Sequence, residues 1–136
     1  MATNFSTDPD QMVGGPADAP AALAAVAKSI GDLDELVTLI GRGLSRAKPW
    51  QRQLGNQLAE IDRLLQILRM TVAMERADAE ILGAADVLCA QCRKAGTLIV
   101  GSRSDLTTKA AVRLIADLAN KVRHELKLAQ GHGPMF

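Results

Sequence analysis

Seven apolar residues, Leu23, Val26, Ile30, Leu33, Val37, Ile40 and Leu44, follow one another at alternating intervals of three and four. That spacing marks one face of a helix, because side chains three and four apart lie above one another on a 3.6-residue turn. A second stripe, Leu54, Leu58, Ile61, Leu65, Leu68 and Val72, keeps the alternation, and Leu64, Ile67 and Met74 beside it widen its apolar face. Ile81, Ala85, Leu88, Cys92, Ala95 and Ile99 form a third. Ala111, Ile115, Leu118 and Val122 form a fourth, flanked by Leu114 and Leu126. A lone helix cannot cover such a stripe, so the segments must close on one another or on another chain. Strand-forming aromatics are nearly absent: Phe5, Trp50 and Phe136 are the whole set. The chain therefore reads as all-α, an antiparallel bundle of about four helices.

Punctuation sets the expected boundaries. Pro20 suits the first position of a helix, where its missing N–H is no loss, and residues 20–130 make the bundle. Residues 1–19, with their prolines, glycines and aspartates, read as a disordered N-terminal tail, and 131–136 as a flexible C-terminal tail. Pro49 holds Lys48 extended, so the first helix stops near Ala47 and Pro49 opens the second. Continuing the second stripe beyond Val72 lands on Glu75, Ala79, Leu82 and Asp86, out of phase with the third. The core face thus changes between residues 75 and 83, with Gly83 the expected C-cap. The alternative is three helices, with one long central helix spanning about 50–101, roughly 75 Å long at 1.5 Å per residue. Ser104 is the expected N-cap of the last helix, which ends at Gly131.

Several functions are disfavoured at once. A net charge of +1 gives no global attraction to nucleic acid or membrane. No apolar run approaches the roughly 20 residues of a membrane span. The opening "MATNFSTDPDQMVGG" lacks a basic region followed by an apolar one, so no secretory signal is expected. Cytoplasmic localisation follows as the expectation. Catalytic signatures are missing too: no Glu-x-x-His pair, G-x-S-x-G, P-loop or H-E-x-x-H occurs, and the expectation is a non-enzyme without cofactor.

Cys89 and Cys92 stand in a C-x-x-C, with Cys92 on the third stripe and Cys89 on its flank. Burial as small apolar residues is the expected role. A c-type haem would need His after the second cysteine, where Arg93 stands, and structural zinc would need four ligands, while His124 and His132 are the only histidines. The alternative is a thiol redox or metal site at Cys89 and Cys92, tuned by Arg93 and Lys94.

Charge is segregated. Residues 36–59 hold no acid but carry Arg42, Arg46, Lys48 and Arg52; residues 87–104 hold none but carry Arg93, Lys94 and Arg103. An up-down-up-down bundle places both windows at one end, joined by Lys109, and gathers Asp32, Asp34, Glu35, Glu75, Asp78, Glu80 and Asp86 at the other. The expected function is a small helical protein-interaction module, an adaptor, chaperone or assembly factor that self-associates and docks a protein partner. The alternative is nucleic-acid or anionic-membrane binding through the basic end, though no stacking aromatics accompany the charges.

Overall fold

A computed structural model of the chain describes residues 18–131. Four helices follow in order: α1 (Asp18–Gly43), α2 (Pro49–Ala73), α3 (Asp78–Val100) and α4 (Leu106–Gln130). No strand occurs among the described residues. Short connectors over 44–48, 74–77 and 101–105 turn each helix back against its predecessor. Every helix packs against two others, α1 and α3 each lying between α2 and α4, so the bundle is a closed square. The long-central-helix alternative is thereby excluded. The tails expected over 1–17 and 132–136 lie outside the described residues; Asp18 and Ala19, assigned to the tail, belong to α1.

The stripes meet inside the square. Val26, Leu33, Leu54, Ile61, Leu65, Leu68, Leu88, Ile99, Ile115 and Val122 are fully or almost fully buried and form one core within a single chain. Three expectations about the stripes need correction. Leu23, in the second turn of α1, is half exposed. Ile67 and Met74, read as widening the second face, are exposed: α2 turns Leu64 inward and leaves them outside. On α4 the buried line is Val112, Ile115, Ala119, Val122 and Leu126, with Ala111 and Leu118 only half buried. Ile115 and Val122 keep their expected places, while Val112 and Ala119 replace Ala111 and Leu118; the Ala119 carbonyl accepts a hydrogen bond from Cys89 Sγ of α3 at 3.4 Å.

The helix ends are set by local chemistry. Pro49 opens α2 as expected, and the N–H of Lys48 donates to Gln51 Oε1 at 2.8 Å. The break between α2 and α3 is not at Gly83, which lies exposed inside α3. It is at Glu75, whose φ of 52° is left-handed. The Glu75 N–H donates to the Val72 carbonyl at 3.0 Å and the Arg76 N–H to the Thr71 carbonyl at 3.1 Å, the pair of bonds that defines a Schellman ending. Glycine usually fills that position; a side chain there costs about 1–2 kcal/mol. Glu75→Gly is expected to raise stability by about 0.5–1 kcal/mol, the relief being partly offset by glycine's freer unfolded chain. Glu75→Val is expected to lower it, and urea denaturation of the two variants checks the sign.

The cap of α4 also differs from expectation by one residue. Asp105, not Ser104, is the N-cap, its side chain accepting from the Thr108 N–H at 3.2 Å and the Thr108 hydroxyl at 2.7 Å. These bonds hold the Asp105 carboxyl below the usual carboxylate range. Ser104 is buried one position earlier and accepts from the Ser102 hydroxyl.

Candidate functional site

The topology places the basic windows at one end of the bundle. Arg42 is in the last turn of α1, where a cation suits the helix dipole. Arg46 and Lys48 are in the first connector, Arg52 in the first turn of α2, and Arg103 in the third connector; all are exposed. Arg93 and Lys94 project from α3 about 10 Å below that end, at ~1.5 Å per residue.

Two of these cations have structural partners. Arg52 opposes the dipole of α2, yet its Nη1 donates to the carbonyls of Arg46 and Ala47 at 3.1 and 3.2 Å, closing the turn that no glycine closes. The Arg46 guanidinium lies over Gly55, about 3.0 Å from where a β-carbon would stand, beside a cavity of about 260 Å³ between α1 and α2.

The acids are arranged otherwise than expected. Glu75, Asp78 and Glu80 lie at the opposite end, but Asp32, Asp34, Glu35 and Asp86 run along the sides of the helices. Most of these acids are paired: Asp32 with Lys28, Asp34 with Arg69, Glu80 with Arg76 and Asp86 with Arg123. No cation of the basic end forms an ion pair among the described residues. Among the described residues, that end therefore carries cations without ion pairs, while four of these seven acids are paired along the sides and at the opposite end.

Beside that end runs a feature that stripes and charge windows did not reveal. A groove of about 940 Å³ opens between the second half of α3 and the first half of α4. Gly96, Ala110 and Ala116 keep its floor low, and Val100 and Leu106 stand at its upper end with 77% and 82% of their surfaces exposed. Arg93, Lys109 and Arg113 line it against a single acid, Asp117. Arg93 and Lys109 were anticipated as part of the basic end; Arg113 and the apolar residues were not. The available signal was a pair of large apolar residues, Val100 and Leu106, that fit no stripe.

Neither thiol faces this surface. Cys92 is fully buried and Cys89 nearly so, and both are free. Burial pushes the Cys92 thiol up to about 12 and raises that of Cys89, outweighing the opposing effect of Arg93. Both are therefore protonated, and neither is a nucleophile at neutral pH. No group of three His, Cys, Asp or Glu able to hold a metal occurs among the described residues.

No protein-family model, curated protein or solved structure matches the chain. Among the described residues no helix is long and apolar enough to cross a membrane.

Proposed function

We propose that the chain is a small helical protein-interaction module, of the adaptor, chaperone or assembly-factor kind, which docks an acidic segment of a partner at its basic end and along the α3/α4 groove. The observation that supports this most is the groove itself. Large apolar side chains stand exposed beside cations that take part in no ion pair among the described residues, on a bundle whose core is already closed. Exposed apolar surface of that kind, rimmed by charge, is where proteins meet partners.

The test compares the wild-type chain with the Arg93→Glu/Arg113→Glu variant as baits in a lysate of the source cells, at low and at high salt. Wild type is expected to retain protein that the variant retains at least about tenfold less, with the difference shrinking as salt screens the charges. Retention of nothing by either, together with a monomer at every concentration in light scattering, would defeat the reading. Since the stripes close within one chain, self-association is not needed to cover the core; an oligomer would use exposed residues such as Leu39, Ile67 and Met70.

The same cations support a second reading, anionic lipid or nucleic acid. Duplex DNA and phosphatidylserine vesicles, titrated against salt, decide between them: binding that falls steeply with salt favours the second. The protein reading is preferred because the groove presents large aliphatic groups, which phosphates do not use. A thiol redox or metal role for Cys89 and Cys92 falls if a Cys89→Ser/Cys92→Ser variant behaves as wild type in metal and redox assays.

A further inference from the structure

We infer that residues 1–17 of the same chain fill the α3/α4 groove in cis. This rests on reading the groove as a docking surface and adds what covers it when no partner is bound.

The segment has the complementary chemistry. "MATNFSTDPDQMVGGPA" contains no lysine or arginine. It carries carboxylates at Asp8 and Asp10, with Phe5 on one side of them and Met12 and Val13 on the other. The groove presents the converse: Arg93, Lys109 and Arg113 along its walls, and Val100 and Leu106 at its upper end. The exposed apolar residues at the end of α2 offer no such match. Ile67, Met70 and Met74 on α2 have the Arg63–Glu60 and Arg76–Glu80 pairs on neighbouring turns, so no net charge selects an acidic segment there.

The reach is sufficient. α1 begins at the end of the bundle where α4 stops, and the two helices are neighbours. Arg113 stands about 26 Å and Leu106 about 36 Å from the end of α4, at ~1.5 Å per residue. An oblique path that also crosses α4 by about one helix spacing, ~10 Å, runs about 28 Å to Arg113 and about 37 Å to Leu106. An extended chain at ~3.3 Å per residue carries Asp10 about 26 Å, Asp8 about 33 Å and Phe5 about 43 Å from Asp18. Asp8 therefore comes level with Arg113 when Phe5 reaches Leu106.

Tethering makes weak contacts sufficient. A tether of this length gives an effective concentration on the order of 1 mM, so an intrinsic Kd of about 0.1 mM leaves the groove roughly nine-tenths filled.

Gly96 supplies the test. A β-carbon there meets nothing within 4 Å, so Gly96→Leu fills the groove without disturbing the bundle, and loss of a mid-helix glycine favours α3. In the full-length chain, nuclear Overhauser contacts are expected between the Phe5 ring protons and the methyls of Val100 and Leu106. They should vanish in Gly96→Leu and weaken in Asp8→Lys/Asp10→Lys, with the core methyl shifts of Leu65 and Leu88 unchanged. Absence of these contacts in the wild type, or their survival in Gly96→Leu, overturns the proposal. So does a mixture of labelled and unlabelled chains in which they arise only between molecules, which would make a second copy the occupant. Failure here is separable from failure of the docking reading: if the wild type shows no cis contact but Gly96→Leu still loses its partner in the capture assay, the docking surface stands and the cis occupant does not.

Discussion

Truncating Leu88 to Ala is expected to lower the free energy of unfolding by about 2–5 kcal/mol, whereas Leu39→Ala should change it by less than about 0.5 kcal/mol. Both are leucines in helix interiors, so propensity is the same in the two comparisons. They differ in surroundings. Leu88 has no exposed surface and sits on the inner line of α3, between Ala85 and Cys92. Leu39 is 61% exposed on α1. Protein interiors are close-packed, so removing the Leu88 isobutyl group forfeits its transfer energy and leaves a void that the four surrounding helices fill only in part. A domain of this size has about 5–15 kcal/mol of stability in all, so the first substitution takes a large share of it. Urea titration followed by circular dichroism reads the difference as a shift in midpoint at constant slope. Equal losses at the two positions would mean that Leu39 is covered by another chain, and that the square of four helices is not the complete core.

That contrast also marks how far the bundle could be read from residue order. The stripes Leu54–Val72 and Ile81–Ile99 were legible because large or small apolar residues recur there at every helical interval and polar residues fill the gaps. In the fourth, Ile115 and Val122 were legible but Val112 and Ala119 were not, because Ala110, Ala111, Ala116 and Ala119 lie on several sides of α4, and alanine is tolerated on every side of a helix. The end of α2 was misplaced for a different reason. Its left-handed residue is a glutamate, held by two backbone hydrogen bonds that carry no side-chain signature, while Gly83 offered a false one. At the surface, acid-free windows located the basic cations, since charge is additive along the sequence. The groove was hidden because it is a relation between two helices. Gly96 and Ala110 leave a channel only once the topology sets α3 and α4 side by side. Ion pairing between elements, such as Asp34 with Arg69 and Asp86 with Arg123, was hidden in the same way.

The second large effect concerns alkaline pH. Above pH 9 the chain is expected to lose stability steadily, and Cys92 alone should account for roughly 4 kcal/mol of that loss by pH 12. The native thiol is pushed up to about 12 from an ordinary value of 9.0, because burial disfavours the thiolate and Cys89 lies beside it. Below pH 9 both native and unfolded thiols carry their protons, so there is no dependence on pH. Between 9 and 12 the unfolded chain releases a proton that the native chain retains, and each pH unit of that interval removes about 1.4 kcal/mol from folding. A raised native value therefore means stability that is present at low pH and declines as pH rises. The informative measurement is a comparison. Urea midpoints of the wild type and of Cys89→Ala/Cys92→Ala are taken from about pH 8 to about pH 11. The variant starts lower, having lost two buried sulfurs, and its curve should be flatter, so that the two lines converge as pH rises. Parallel lines would mean that the thiols ionise in the native state, which requires water or a cation beside Cys92 and is incompatible with its place between Leu88 and Ala95 in the core.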